Sequence, residues 1–407
     1  MITRRHILLG GLGAAATALV TTPSAAAALA ATTATRCIVL YMHGGASQLE
    51  TFDPKPGTRE GGPTKAIATA IDGLRFSAHL PGLARRADML AVLRSVTMRE
   101  GNHDRARYLM RTGHTPQGGV VHPGLAAMVD ARHGDADFVG AVAIGAPTQS
   151  PGLLGPRHAA LTVRTAAQAL RGLESGDDDR ARETRRAALF DQLQGHFADG
   201  RTRAPIDGHT ETFGRARVVM RSPKRAAFDL SAESAATRAR YGNDEFGAGC
   251  LLARRLVDHE VAFVEVGLNG WDTHEDNFTR TTELATQLDR GMSALLDDLT
   301  SSGHIDDTLV VCMGDFGRSP TINGREGRDH FPDIASVVLA GGGITGGTVV
   351  GTTSPDGREI AARPIAVADL YRTICTRLGI DPDQVRLAAS GRPITTVDGG
   401  KVIDEVV

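Results

Sequence analysis

The chain has 407 residues, 41% hydrophobic and 23% charged, proportions that suit a folded core and argue against disorder. A formal net charge of −2 leaves no basic footprint for nucleic acid, and 4% aromatic residues supply few rings for stacking on bases or sugars. Glycine is plentiful, yet the phosphate-cradling GxxxxGK[ST] pattern is absent.

The first element is a targeting segment. Arg4-Arg5 precede a weakly apolar run, Ile7 to Val20, and small residues cluster from Ser24 to Ala31. The run is shorter than the ~20 residues that span a bilayer. The combination predicts a twin-arginine export signal over residues 1–30, a periplasmic or extracellular product, and no stable membrane span in the mature chain. The competing reading is an N-terminal helix of the mature protein.

Apolar β-branched runs follow at Cys37–Met42, Met89–Leu93, Asp137–Ile144, Val261–Val266, Thr308–Met313 and Ala335–Ala340. Helical spacing separates some of them, as in Leu284, Leu288, Met292, Leu295 and Leu299. Continuous apolar strands alternating with amphipathic helices predict one α/β domain over 31–407, with a mostly parallel sheet covered on both faces. The charge-rich stretch from about 165 to 240 reads as a helical insertion, and Ala366–Leu378 as a structural amphipathic helix. Cys37, Cys250, Cys312 and Cys375 form no CxxC pair and read as buried apolar residues. Any metal must then be held by oxygen and imidazole.

Ligands of such sheets bind beyond the carboxyl ends of the strands. There the chain places Asp272 and His274 after the fourth run, Asp315 after the fifth, and Asp329-His330 shortly beyond. Carboxylates and imidazoles on neighbouring strand ends suit a divalent ion. The alternative is a hydrogen-bonded loop network in which Asp caps turns and His meets carbonyls. The loop after the second run, Gly101-Asn-His-Asp-Arg-Ala-Arg107, enters a helix. His103 or Asp104 at its start with Arg107 one turn along makes an anion pocket, or Asn102 or Asp104 only caps it.

Tyr41-Met-His-Gly-Gly-Ala-Ser, Thr51-Phe-Asp-Pro-Lys-Pro, Trp271-Asp-Thr-His, Gly314-Asp-Phe-Gly-Arg-Ser-Pro, Gly327-Arg-Asp-His and Ala340-Gly-Gly-Gly together resemble domain-of-unknown-function family 1501. That family is grouped with sulfatase-like proteins in the alkaline-phosphatase superfamily. The resemblance implies a three-layer α/β/α sandwich, alkaline-phosphatase-like, with a bimetal hydrolase ancestry. Sulfatases carry C-x-P-S-R-x-x-L-x-T-G. Laid on Thr112-Gly113, the motif places Arg107 on its arginine, Met110 on its leucine and His103 on its nucleophile. An imidazole can attack phosphorus, transfer protons or bind metal, but it cannot become formylglycine.

The resemblance assigns Asp272, His274, Asp315 and His330 to a divalent ion (Zn, Mn, Mg or Ca). At the first strand, where the superfamily supplies acidic ligands, this chain has Gly44-Gly45. Glu50 or Asp53 folds back to fill the gap, or one metal is missing. Phe316 stands where the superfamily often has a second histidine. Two functions follow. One is an exported metal-dependent hydrolase of a small-molecule phosphate or sulfate-type ester, with His103 and Arg107 catalytic. The other is a catalytically degenerate relative that binds a ligand or partner.

Overall fold

The computed structural model describes residues 34–135, 137–169, 180–198 and 203–407, so the export signal expected at 1–30 lies outside the described residues. The strands that build the sheet and the site are β1 (Arg36–His43), β2 (Leu90–Thr97), β3 (Ala141–Ile144), β4 (Leu161–Val163), β5 (Phe263–Asn269), β6 (Thr308–Gly314), β7 (Gly317–Ile322), β8 (Arg328–Phe331), β9 (Ala335–Ala340), β10 (Thr348–Val350) and β11 (Ile365–Ala366). A 9-stranded sheet runs in the order β10-β2-β9-β6-β1-β5-β3-β4, with β11 alongside β2. Its pairings are parallel except those of β9, which is antiparallel to both β6 and β2.

The reversal at β9 has a local cause. After β6 the chain makes the hairpin β7–β8, in which His330 faces Arg318, and so re-enters the sheet from its carboxyl end. Everything between Gly314 and Ala335 is thereby held over that end.

Among the described residues the helices of seven residues or more are α1 (His103–Thr112), α2 (Leu125–His133), α3 (Arg180–Ala198), α4 (Arg203–Arg221), α5 (Ala235–Tyr241), α6 (Glu245–Asp258), α7 (Asn277–Ser302) and α8 (Val367–Arg377). Side chains alternate across β1. Ile38, Leu40 and Met42 pack with Leu251 and Leu256 of α6 and Leu288 and Leu295 of α7. Cys37, Val39 and Tyr41 pack with Met110 of α1, Val129 of α2 and Ile374 of α8. Both faces are covered, which is why the strand sequences are largely apolar. The expected three-layer α/β/α sandwich is present.

All four cysteines are buried and free. Helices α3, α4 and α5 occupy the charge-rich stretch of about 165–240. The third strand is shorter than its apolar run, beginning at Ala141 rather than Asp137. Gly140 runs against the Asp130 carboxylate, where a Cβ would lie 1.9 Å from Oδ1, and its carbonyl accepts from the Phe263 N–H at 3.0 Å.

Helix α1 positions the site. Asn102 Oδ1 accepts from the backbone N–H groups of Asp104 (3.1 Å) and Arg105 (3.3 Å), so His103 is its first residue. Gly113 ends it at φ +74, and a Cβ there would lie 2.7 Å from the Tyr371 ring. Gly113→Ala should lower stability by roughly 1–3 kcal/mol from the left-handed backbone alone, with the clash adding to it. The unfolding free energy in urea measures this.

Candidate metal centre

Four loops meet beyond the carboxyl end of the sheet. His103 comes from the start of α1, Asp272 and His274 from the loop after β5, Asp315 from the end of β6, and Asp329 and His330 from β8. One ligand atom each of His103, Asp272 and His330 lies within 4.8 Å of the others. His274 joins them, its Nε2 being 3.0 Å from His330 Nε2 and 3.2 Å from Asp272 Oδ1.

Each of the three imidazoles has its other nitrogen engaged by an acceptor. His103 Nδ1 is 2.7 Å from Asp315 Oδ2, His274 Nδ1 is 3.0 Å from Asp329 Oδ1, and His330 Nδ1 is 2.8 Å from the Gly101 carbonyl. A carbonyl or carboxylate can only accept, so each Nδ1 carries the proton and donates. In the neutral ring Nε2 then bears a bare lone pair. All three Nε2 atoms face the Asp272 carboxylate. His103 Nε2 is buried, makes no hydrogen bond, and lies 3.4 Å from Asp272 Oδ2. Lone pairs directed at one another and at a carboxylate call for a cation among them, so the donors fit a metal ion.

The electrostatics agree. Burial would raise Asp272, but the hydrogen bond and charge of Arg318 outweigh it and hold the carboxyl at about 2. Burial lowers His330 below the ordinary imidazole range, opposed by the Gly101 carbonyl and reinforced by Arg318 and the neighbouring imidazoles. The hydrogen bond from His274 lowers Asp329. Phe316 is buried, its ring centroid 4.9 Å from that of His103 and 4.6 Å from that of His330, and it walls the imidazoles from one side.

Several expected positions take other roles. Asp315, expected as a ligand, is fully buried with both oxygens engaged: Oδ1 accepts from the Tyr41 hydroxyl (2.9 Å), and Oδ2 from the Gly44 N–H (3.1 Å) and His103. It orients a histidine from behind. Glu50 does not fold back toward the ion seat. It pairs with Arg328, Nε to Oε2 at 2.9 Å and Nη2 to Oε1 at 2.8 Å. Asp53 is taken by Lys55 (3.0 Å), Arg94 (3.5 Å) and Thr353 (2.5 Å). Arg107 pairs with Asp104 on the outer side of α1, and among the described residues no hydrogen bond or ion pair joins it to the cluster.

The glycines at the first strand have a steric reason. A Cβ on Gly44 would lie 2.4 Å from the Asp272 nitrogen, and one on Gly45 2.4 Å from the Phe316 carbonyl oxygen. The turn is wedged between the loops after β5 and β6, and no acidic side chain fits there.

Arg318 and Tyr41 were not singled out from the sequence. Arg318 is buried, with Nη2 2.6 Å from Asp272 Oδ1, Nε 3.1 Å from the Gly45 carbonyl and Nη1 3.1 Å from the Arg328 carbonyl. Its place one residue beyond Asp315-Phe-Gly was visible, but its partners were not.

Residues 34–407 match a protein-family model described as "Protein of unknown function (DUF1501)". The chain belongs to the DUF1501 family. No curated protein matches it. Among solved structures this DUF1501 chain is similar to the lipoteichoic acid synthase LtaP from Listeria monocytogenes, with TM-score 0.42 and 11% identity over 92% of this chain and 77% of that one. It is similar to the PsFucS1 sulfatase from Pseudoalteromonas sp., with TM-score 0.40 and 13% identity over 91% and 73%. The alkaline phosphatase of the Antarctic bacterium TAB5 gives 0.37 and 12% over 76% and 92%.

Arg328→Met should cost about 3–5 kcal/mol of unfolding free energy, because it strands the Glu50 carboxylate in the interior. Adding Glu50→Gln to it should recover part of that loss. A double-mutant cycle in urea measures both.

Proposed function

We propose that this protein is an exported, metal-dependent hydrolase of a small-molecule phosphate or sulfate-type ester. One divalent ion is held by His103 Nε2, His274 Nε2, His330 Nε2 and the Asp272 carboxylate. The observation that carries the ion is the set of three Nδ1 donors, each facing an acceptor, with three bare Nε2 atoms turned toward Asp272. Three imidazoles and one carboxylate favour Zn²⁺ or Mn²⁺ over Mg²⁺ and Ca²⁺, which prefer all-oxygen surroundings. The ester rests on the sulfatase-like spacing from His103 to Thr112-Gly113, and export on Arg4-Arg5 with the apolar run behind them.

The residues divide the work as follows. Asp315 fixes the tautomer and ring plane of His103, so His103 acts as a ligand; with both nitrogens committed it is not the nucleophile. Asp329 and the Gly101 carbonyl do the same for His274 and His330. Arg318 holds Asp272 ionised. Arg107, one turn from His103, leaves Asp104 to meet the substrate anion. A bound ion supplies Lewis-acid polarisation of the ester oxygen and a lowered pKa for water.

The second reading is a ligand-binding relative without turnover. Arg318 favours it, since its guanidinium already occupies Asp272 Oδ1 and competes with an ion for that carboxylate.

Protein from its native host should carry about one ion per chain by elemental analysis, as a single cluster of donors requires. His330→Ala should weaken affinity by more than about 100-fold, beyond the 10–100-fold of an outer-shell change. Hydrolysis of nitrophenyl phosphate or sulfate that disappears on chelation and returns with Zn²⁺ or Mn²⁺ supports the enzyme. Stoichiometric metal without turnover on any ester supports the binding reading. Absence of metal, with affinity for none of these ions, overturns the site.

A further inference from the structure

Behind the ion seat lies a line of buried polar groups with no exposed member. Asp315 is fully buried at the end of β6, and its Oδ1 accepts from the Tyr41 hydroxyl at 2.9 Å. Tyr41 is fully buried in β1, the central strand of the sheet. The Arg111 guanidinium lies 4.3 Å over its ring centroid. Arg111, from the last turn of α1, is paired with Glu265, a carboxylate buried in β5. Arg111 also donates to the Pro147 carbonyl at 3.3 Å.

Polar groups placed inside an otherwise apolar face are costly unless each is paired. Four in a row, on the strand face otherwise filled by Cys37 and Val39, mark a placement with a purpose. We propose that Tyr41, clamped by the Arg111–Glu265 pair, is a positioning residue for the metal centre. It anchors Oδ1 so that Oδ2 alone receives His103 Nδ1–H and the Gly44 N–H, and so keeps the His103 Nε2 lone pair on the ion seat.

The chain of causes is geometric. A carboxylate with both oxygens free can rotate about its terminal bond and offer either oxygen, or both, to the imidazole. With Oδ1 held by Tyr41 from strand β1 and Oδ2 held by the β1 turn, the Asp315 plane is set by the sheet itself. His103 and Arg111 sit on the same helix, roughly two turns apart, so α1 docks onto Tyr41 at one end and onto Asp315 at the other. The clamp thus sets the height of the helix as well as the carboxylate. Histidine ligands are commonly oriented through such outer partners; here the support continues two residues further, into the sheet.

This inference rests on the metal-centre reading. The test is ion affinity of the full mature chain for Zn²⁺, by competition with a chromophoric chelator, and the visible spectrum of its Co²⁺ form. Tyr41→Phe keeps the ring under Arg111 and removes only the hydroxyl. Tyr371→Phe is the control. Tyr371 is equally buried, and its hydroxyl donates to the Met110 carbonyl at 3.0 Å, away from the ion seat.

Tyr41→Phe is expected to weaken Zn²⁺ binding by about 10–100-fold and to alter the Co²⁺ spectrum, while Tyr371→Phe leaves both unchanged. Arg111→Lys, which retains a cation opposite Glu265 but loses the planar stack, should move both in the direction of Tyr41→Phe. It decides the matter alone if Tyr41→Phe does not fold. Wild-type binding with Tyr41→Phe indistinguishable from it overturns the inference and leaves the metal centre standing. Equal loss in Tyr41→Phe and Tyr371→Phe also overturns it, by reducing the effect to general loosening. A wild-type chain that binds neither ion overturns the metal centre and the inference together.

Discussion

Two guanidinium groups withdrawn entirely from water hold the loops of this protein together. Arg318 reaches the carbonyls of Gly44, Gly45 and Arg328 and the Asp272 carboxylate. Arg328 reaches the carbonyls of Ser319, Pro320 and Glu60 and both oxygens of Glu50. A buried cation is costly unless its donors are met, so each arginine favours having all its loops present at once. A planar five-donor fork can satisfy several carbonyls in one plane, whereas lysine, with three donors on one nitrogen, cannot. The assembly of the loop after β1, the loop after β5 and the β7–β8 hairpin is therefore close to all-or-none.

The same requirement accounts for what stands at the end of β1. Once Arg318 draws the carbonyls of Gly44 and Gly45 inward, the turn lies against the backbone of Asp272 and Phe316, and only hydrogen fits on those α-carbons. Acidic side chains have no room there, so the seat is made chiefly of imidazole. The donor chemistry thus follows from a packing constraint several residues away. A nitrogen-rich seat selects among divalent ions differently from a carboxylate-rich one.

Imidazoles are useful ligands because the nitrogen that does not face the ion can be addressed by the protein. Here each is addressed from a different element: the end of β6 through Asp315, β8 through Asp329, and the loop before α1 through Gly101. The Asp315 branch is the most deeply buried of the three. The Asp329 branch is the most open, with the aspartate side chain 63% exposed. The cluster is buried on its sheet side and open on its outer side.

The sheet strands were legible in sequence because a strand covered on both faces is apolar along most of its length. Asp272, His274 and His330 were legible as a group because polar residues directly after such strands lie at one end of the sheet. Asp315 was read as a ligand, and Glu50 or Asp53 as the alternative to a missing metal, because a carboxylate in sequence shows its charge and not its partner. Arg328, Lys55 with Arg94, and Tyr41 claim them, and all of these but Lys55 are remote in the chain from the carboxylate they claim. By itself the sequence determined the alternating layers, the polar carboxyl end and the supply of imidazoles, all of which follow from local periodicity. Only the tertiary structure decided which carboxylate faces the ion seat and which stands behind a histidine. That choice depends on the direction of a side chain within a buried network, where a shift of about one hydrogen-bond length exchanges one partner for another.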